Sequence, residues 1–162
     1  MEKRIKFSIF LLLIILLLTT SVSAEWTTQF IEDERKENGV WYAHSLNVKA
    51  DDNITAKVSI GTDGDVEWIN LEFSTMPTVI KNIDNPIQAS VKWDNHESEK
   101  IFFNKYGDFN FISFQNYGES IAKIEKSNKM VLEFKKDGEE NIKIMFPLET
   151  AAAVINEIRG KF

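Results

Sequence analysis

From Gly39 onward, apolar and polar residues mostly alternate with a period of two, the signature of strands that bury one face. In GVWYAHSLNV the apolar set reads as Val40, Tyr42, His44, Leu46 and Val48. In NITAKVSI it is Ile54, Ala56, Val58 and Ile60, with Thr55, Lys57 and Ser59 opposite. DVEWINLEF puts Ile69, Leu71 and Phe73 on one side, and IQASVKW does the same with Ile87, Ala89, Val91 and Trp93. Such alternation predicts antiparallel sheets with one wet face. Turns are read at Asp63-Gly64-Asp65 and in KKDGEE, Lys135–Glu140. Around the second turn the apolar positions are even on both sides: Met130, Leu132 and Phe134 before it, Ile142, Ile144 and Phe146 after it. A one-residue slip would send these sets to opposite faces, so the loop must hold an odd number of residues. A three-residue loop with Gly138 in the left-handed conformation is expected, with Leu132 opposite Ile142 and Met130 opposite Ile144.

Two segments leave this rhythm. Gly118–Asn128 carries Ile121 and Ile124 at helical spacing and reads as a short helix. In FPLETAAAVINEIRGKF, residues Leu148, Ala151, Ala152, Ile155, Ile158 and Phe162 fall on one helical stripe. Glu149 near its start and Arg159 and Lys161 near its end suit the helix dipole. Alanines on the buried side let this helix close over a sheet. The fold class is therefore mainly β, with an antiparallel sheet or sandwich of about seven to eight strands, one short helix and a C-terminal closing helix. Residues Glu25–Asn38, charge-rich and weakly patterned, read as a loose lead-in or one short helix. Residues 39–162 read as a single β-rich domain.

The first 24 residues change the picture of location. A basic start (Lys3, Arg4, Lys6) precedes an unbroken apolar run from Ile9 to Leu18, and small residues lead to Ala24. This is the layout of a secretory signal peptide cleaved after Ala24. The run is shorter than the roughly 20 residues of a spanning helix, so no stable membrane anchor is expected after cleavage. The expected location is periplasmic or extracellular, and the Ile-, Asn- and Lys-rich composition suggests a bacterial source. The signal holds three of the 19 Lys and Arg residues and one of the 25 Asp and Glu residues, leaving 16 against 24, a net charge of −8. Such a surface disfavours nucleic acid and anionic lipid and suits a basic protein partner. With no cysteine in the chain, no disulfide framework exists. The remaining chain is long enough to rely on its own core.

Several stretches resemble a known family. Trp41, Ala50-Asp51-Asp52 and Ala56-Lys57-Val58-Ser59-Ile60 are followed by Lys92-Trp93-Asp94, then Phe146-x-Leu148 and Val154-Ile155-x-x-Ile158-Arg159. Together, over Trp41–Phe162, they resemble the exported VasI-like proteins associated with type VI secretion. Thr150 stands where that family has Gly at the helix start, and Phe162 where it ends in Cys. The resemblance implies a small, accessory, non-catalytic periplasmic protein and supplies no active-site residues.

The candidate chemistry is sparse. His44, on a strand beside Tyr42 and Leu46, reads as a hydrogen-bonded, half-buried side chain. His96 lies in KWDNHESEK, where Asp94 and Glu97 are the nearest candidates to share a ligand-binding site with it. This run lacks the second His of a helical metal motif and reads most simply as a solvated turn. Asp63–Asp65 is too short for a calcium loop, and Asp51-Asp52-Asn53 reads as turn chemistry. No nucleophile elbow and no glycine-rich phosphate loop are present. No catalytic residue, metal site or cofactor is expected. The reading favoured is an exported binding module, with Trp26, Tyr106, Tyr117 and one of Trp41 or Trp68 as contact anchors outside the core. The alternative is a small envelope hydrolase using dispersed carboxylates and His96.

Overall fold

The computed structural model describes residues 25–34, 39–136, 138 and 140–162. The signal-like segment 1–24 lies outside the described residues. Ten strands form one antiparallel sheet: β1 (Thr27–Ile31), β2 (Val40–His44), β3 (Val48–Asp51), β4 (Ile54–Thr62), β5 (Glu67–Phe73), β6 (Ile87–Trp93), β7 (Glu99–Lys105), β8 (Phe111–Phe114), β9 (Lys129–Phe134) and β10 (Ile142–Pro147). The helices among the described residues are α1 (Thr78–Lys81), α2 (Tyr117–Ile124) and α3 (Ala151–Arg159). The fold is mainly β, as the alternation requires. Among the described residues no helix is long and apolar enough to cross a membrane.

Strand order is β1-β2-β4-β5-β8-β7-β6-β9-β10, with β3 pairing the first half of β4. β3 lies against β10, so the sheet rolls back toward itself. The inner face carries the apolar sets as rows across strands: Val58, Leu71 and Ile112 oppose one another, and so do Val91, Leu132 and Ile144. Phe103 sits at the centre, edge-on to Phe114 at 4.5 Å and beside Phe134 at 5.6 Å. Aromatic rings meeting this way add to the gain from buried area. α3 covers the inner side of β1, β2 and β4, burying Ala151, Ile155 and Ile158, while α2 packs on β5 through Ile121 and Ile124.

Four expectations change. First, residues 27–31 are neither loose nor helical; they form β1, paired along its length with β2. Trp26 just before it is 4% exposed, so it belongs to the core and is not a contact anchor. Its backbone N–H donates to Thr150 Oγ1 at 3.1 Å and its indole N–H to the Pro147 carbonyl at 3.2 Å. Weak patterning hid this strand because only Trp26 of its neighbourhood is fully covered. Second, the core face of β2 belongs to the odd residues. Ala43 is fully buried and Trp41 packs on the core, whereas Tyr42 and His44 stand on the outer face. Both parities of that stretch contain apolar residues, so period alone does not choose between them.

Third, the β9–β10 loop is longer than three residues. Ile142 pairs with Phe134 and Ile144 with Leu132, a shift of two positions from the expected register. The parity holds, and Gly138 does adopt the left-handed conformation at φ +81°. Fourth, the sheet has ten strands because β1 and the short β3 join it, and a one-turn helix, α1, adds to the two expected ones.

Candidate binding cleft

The β6–β7 turn holds the three residues singled out for chemistry, and the structure commits one of them to the backbone. Asp94 has φ +47°, an uncommon conformation that short polar side chains tolerate. Its Oδ1 accepts the N–H groups of Asn128 and Lys129, each at 2.9 Å, while its own N–H donates to the Lys129 carbonyl. Asp94 thereby ties the turn to the start of β9. The His96 N–H donates to the Trp93 carbonyl at 2.9 Å, closing the turn, and the side chains of His96 and Glu97 are exposed. Asp94 also borders a groove of about 510 Å3 that holds Lys92, Lys129, Lys143 and Met145. Among the described residues no group of three His, Asp or Glu side chains is placed to hold a metal ion.

His44 is half-buried and fully bonded. Its Nδ1 lies 2.7 Å from Ser59 Oγ and its Nε2 lies 3.1 Å from Gln29 Oε1. With Gln29 Oε1 as acceptor, Nε2 carries the proton and Nδ1 accepts from the Ser59 hydroxyl. Burial, then Lys57, lower the imidazole pKa from its usual 6.5. Ser59 is fully buried, so its hydroxyl is a strut between strands. The two Asp-rich turns also hold backbone. Asp63 Oδ1 accepts from the N–H groups of Asp65 and Val66, and Asp51 Oδ1 from that of Asp52.

A cleft missed by motif reading opens at the β4–β5 turn, at the same strand ends as the β6–β7 turn. Thr62, Gly64, Asp65, Val66 and Glu67 from the β4–β5 turn form one wall. Tyr117 and Gly118 at the start of α2, with Arg159 at the end of α3 and Phe162 beyond it, form the other, around a volume of about 510 Å3. Arg159 fixes the geometry. Its Nε and Nη2 bind both oxygens of Glu67 at 2.5 and 2.9 Å, and its Nη1 binds Glu125 at 2.6 Å. A forked pair of this kind sets orientation as well as charge. The turn, α2 and α3 are thus held together beneath three apolar side chains that stay in solvent: Val66 at 50% exposure, Tyr117 at 46% and Phe162 at 45%. Asp65 lies exposed on the rim.

Of the expected anchors, Tyr117 lines this cleft and Tyr106 stands 49% exposed near Phe109 and Phe111 at the β7–β8 tip. Trp41 and Trp68 are both half-buried, Trp41 beneath Lys161 and Trp68 edge-on to Tyr42. The only advance signal for the cleft was the surplus of aromatic residues, since its walls come from three separate parts of the chain. The sequence matches no family model, and no curated protein and no solved structure matches it.

Proposed function

We propose that this protein is an exported, non-catalytic interaction module of the bacterial envelope that binds a basic protein partner. The observation that carries the reading is the convergence of Val66, Tyr117 and Phe162 on one cleft held by the Arg159–Glu67 pair, with Asp65 exposed at its rim. Solvent-exposed apolar groups gathered in a concave site, with charge at the rim, are the usual makings of a contact surface. The net charge of −8 left by removal of residues 1–24 supplies long-range attraction for a cationic partner. The signal-like first 24 residues and the resemblance to accessory periplasmic proteins of the VasI-like kind point the same way. The hydrolase reading has less support, because the Asp94 carboxylate is engaged by two backbone amides and His96 stands apart on an exposed turn.

The test compares wild type with Tyr117→Ala and His96→Ala as baits in an envelope extract. A basic protein captured at low salt and released at high salt should bind Tyr117→Ala roughly tenfold more weakly. His96→Ala should bind as wild type does. Equal capture by Tyr117→Ala, or loss of capture with His96→Ala, would remove the cleft from the function.

A further inference from the structure

We infer that the free edge of β1 accepts an extended, cationic segment of another protein as an added strand. This deepens the reading above and rests on it for the charge of the partner. The edge itself follows from the register. Ser45 N–H donates to the Val58 carbonyl at 2.9 Å, and β2 pairs with β4 through Trp41↔Thr62 and Ala43↔Ile60. In antiparallel pairs the residues that exchange hydrogen bonds alternate with those that do not. The odd residues of β2 therefore address β4, leaving Tyr42 and His44 to address Gln29 and Thr27 of β1. Thr28 and Phe30 must then point their N–H and C=O groups away from the sheet. Trp26, next in the same alternation, does so too, and Thr150 meets its N–H. Among the described residues no strand follows β1 on that side.

Edge strands are usually blunted by charge, proline, a bulge or a covering element. β1 reads Thr-Thr-Gln-Phe-Ile, with neither charge nor proline, and Phe30 and Ile31 are exposed. The charges sit at its ends. Glu25 precedes it and Glu32, Asp33 and Glu34 follow, so Glu25–Asn38 carries five carboxylates against Arg35 and Lys36. This favours a cationic occupant. Antiparallel pairing with a second copy, Thr28 opposite Phe30, would bring Glu25 and Asp33 opposite each other at both ends, and like charges opposed across strands repel. A cationic strand meets the same carboxylates with attraction, the backbone supplying affinity and the flanks selecting charge.

Hydrogen exchange followed by NMR tests this first on the unmutated protein. The probe is the capped peptide Lys-Val-Lys-Val-Lys-Val-Lys, with its Glu-for-Lys counterpart as control. At saturation the lysine peptide should slow exchange of the Thr28 and Phe30 amides by about tenfold or more. The Gln29 amide, already in the ladder, should not change. Thr28→Pro, which removes one outward donor at a position where proline suits an edge, should abolish the effect. No slowing, or equal slowing by the glutamate peptide, would overturn the inference. So would slow exchange before peptide is added together with a dimer mass in sedimentation, because a second copy would then occupy the edge. Tyr117→Ala should leave the slowing intact. Flat exchange alongside a partner lost in Tyr117→Ala sinks the strand addition alone, and slowing with a cleft-independent partner sinks the cleft alone.

Discussion

The two faces of the sheet are held by different forces. The inner face is an apolar surface in which Phe103, Phe134, Phe146 and the Ile and Leu rows are fully covered. The outer face carries a row of polar contacts across neighbouring strands. Gln29 meets His44, His44 meets Ser59, the Ser113 hydroxyl donates to Asn70 at 2.6 Å, and the Gln115 amide donates to Asn104 at 2.8 Å. Apolar packing is non-directional and tolerates a slide by two residues, since the same face stays buried. Hydrogen bonds have fixed lengths and angles and do not tolerate it. The inner face therefore supplies most of the stability, and the outer row fixes which residue opposes which.

The strongest test of that division is Phe103→Ala. Its expected cost is about 3–5 kcal/mol, measured by denaturant unfolding with an unchanged slope. A loss near that of an exposed site would deny the inner face its role. Next comes Gly61→Ala on the outer face. An added Cβ would sit 2.4 Å from Trp68 Cε2, so the indole must move, at about 1–3 kcal/mol. Combining it with Trp68→Ala should relieve that clash, and a purely additive double mutant would show that the contact is not the cause. Ser59→Ala removes the donor to His44 Nδ1 and should cost about 1–2 kcal/mol.

The same network predicts a pH effect. The folded state lowers the His44 pKa below 6.5, so the unfolded chain binds the proton more readily. Stability from this group is complete above about pH 6.5 and falls as acid approaches the folded pKa. His44→Gln should flatten that part of the curve, and an unchanged curve would assign it elsewhere. Smallest of all, His96→Ala should lie within about 0.5 kcal/mol of wild type by the same unfolding measurement.

Much of the inner face was legible because apolar parity reports which side a residue faces. Register was not, because parity is blind to a shift of two, as Ile142 opposite Phe134 demonstrates. β1 was illegible because its own residues are mostly exposed and the adjoining Trp26 gains its place from Pro147 and Thr150, more than 120 positions away. The cleft was hidden for the same reason: Val66, Tyr117 and Phe162 have no local motif in common. Asp94 and His96, by contrast, were legible as a turn, since turn chemistry is written in neighbouring residues.

The bonds from Trp26 to Pro147 and Thr150 also impose an order in time. A chain that emerges N-terminus first, from a ribosome or through a pore, has its opening segment ready long before the residues that clasp it exist in the same compartment. Trp26 cannot complete these bonds until Pro147 and Thr150 have arrived, so the residue that opens the sheet is clasped last, while the strand after it can already pair with Val40–His44.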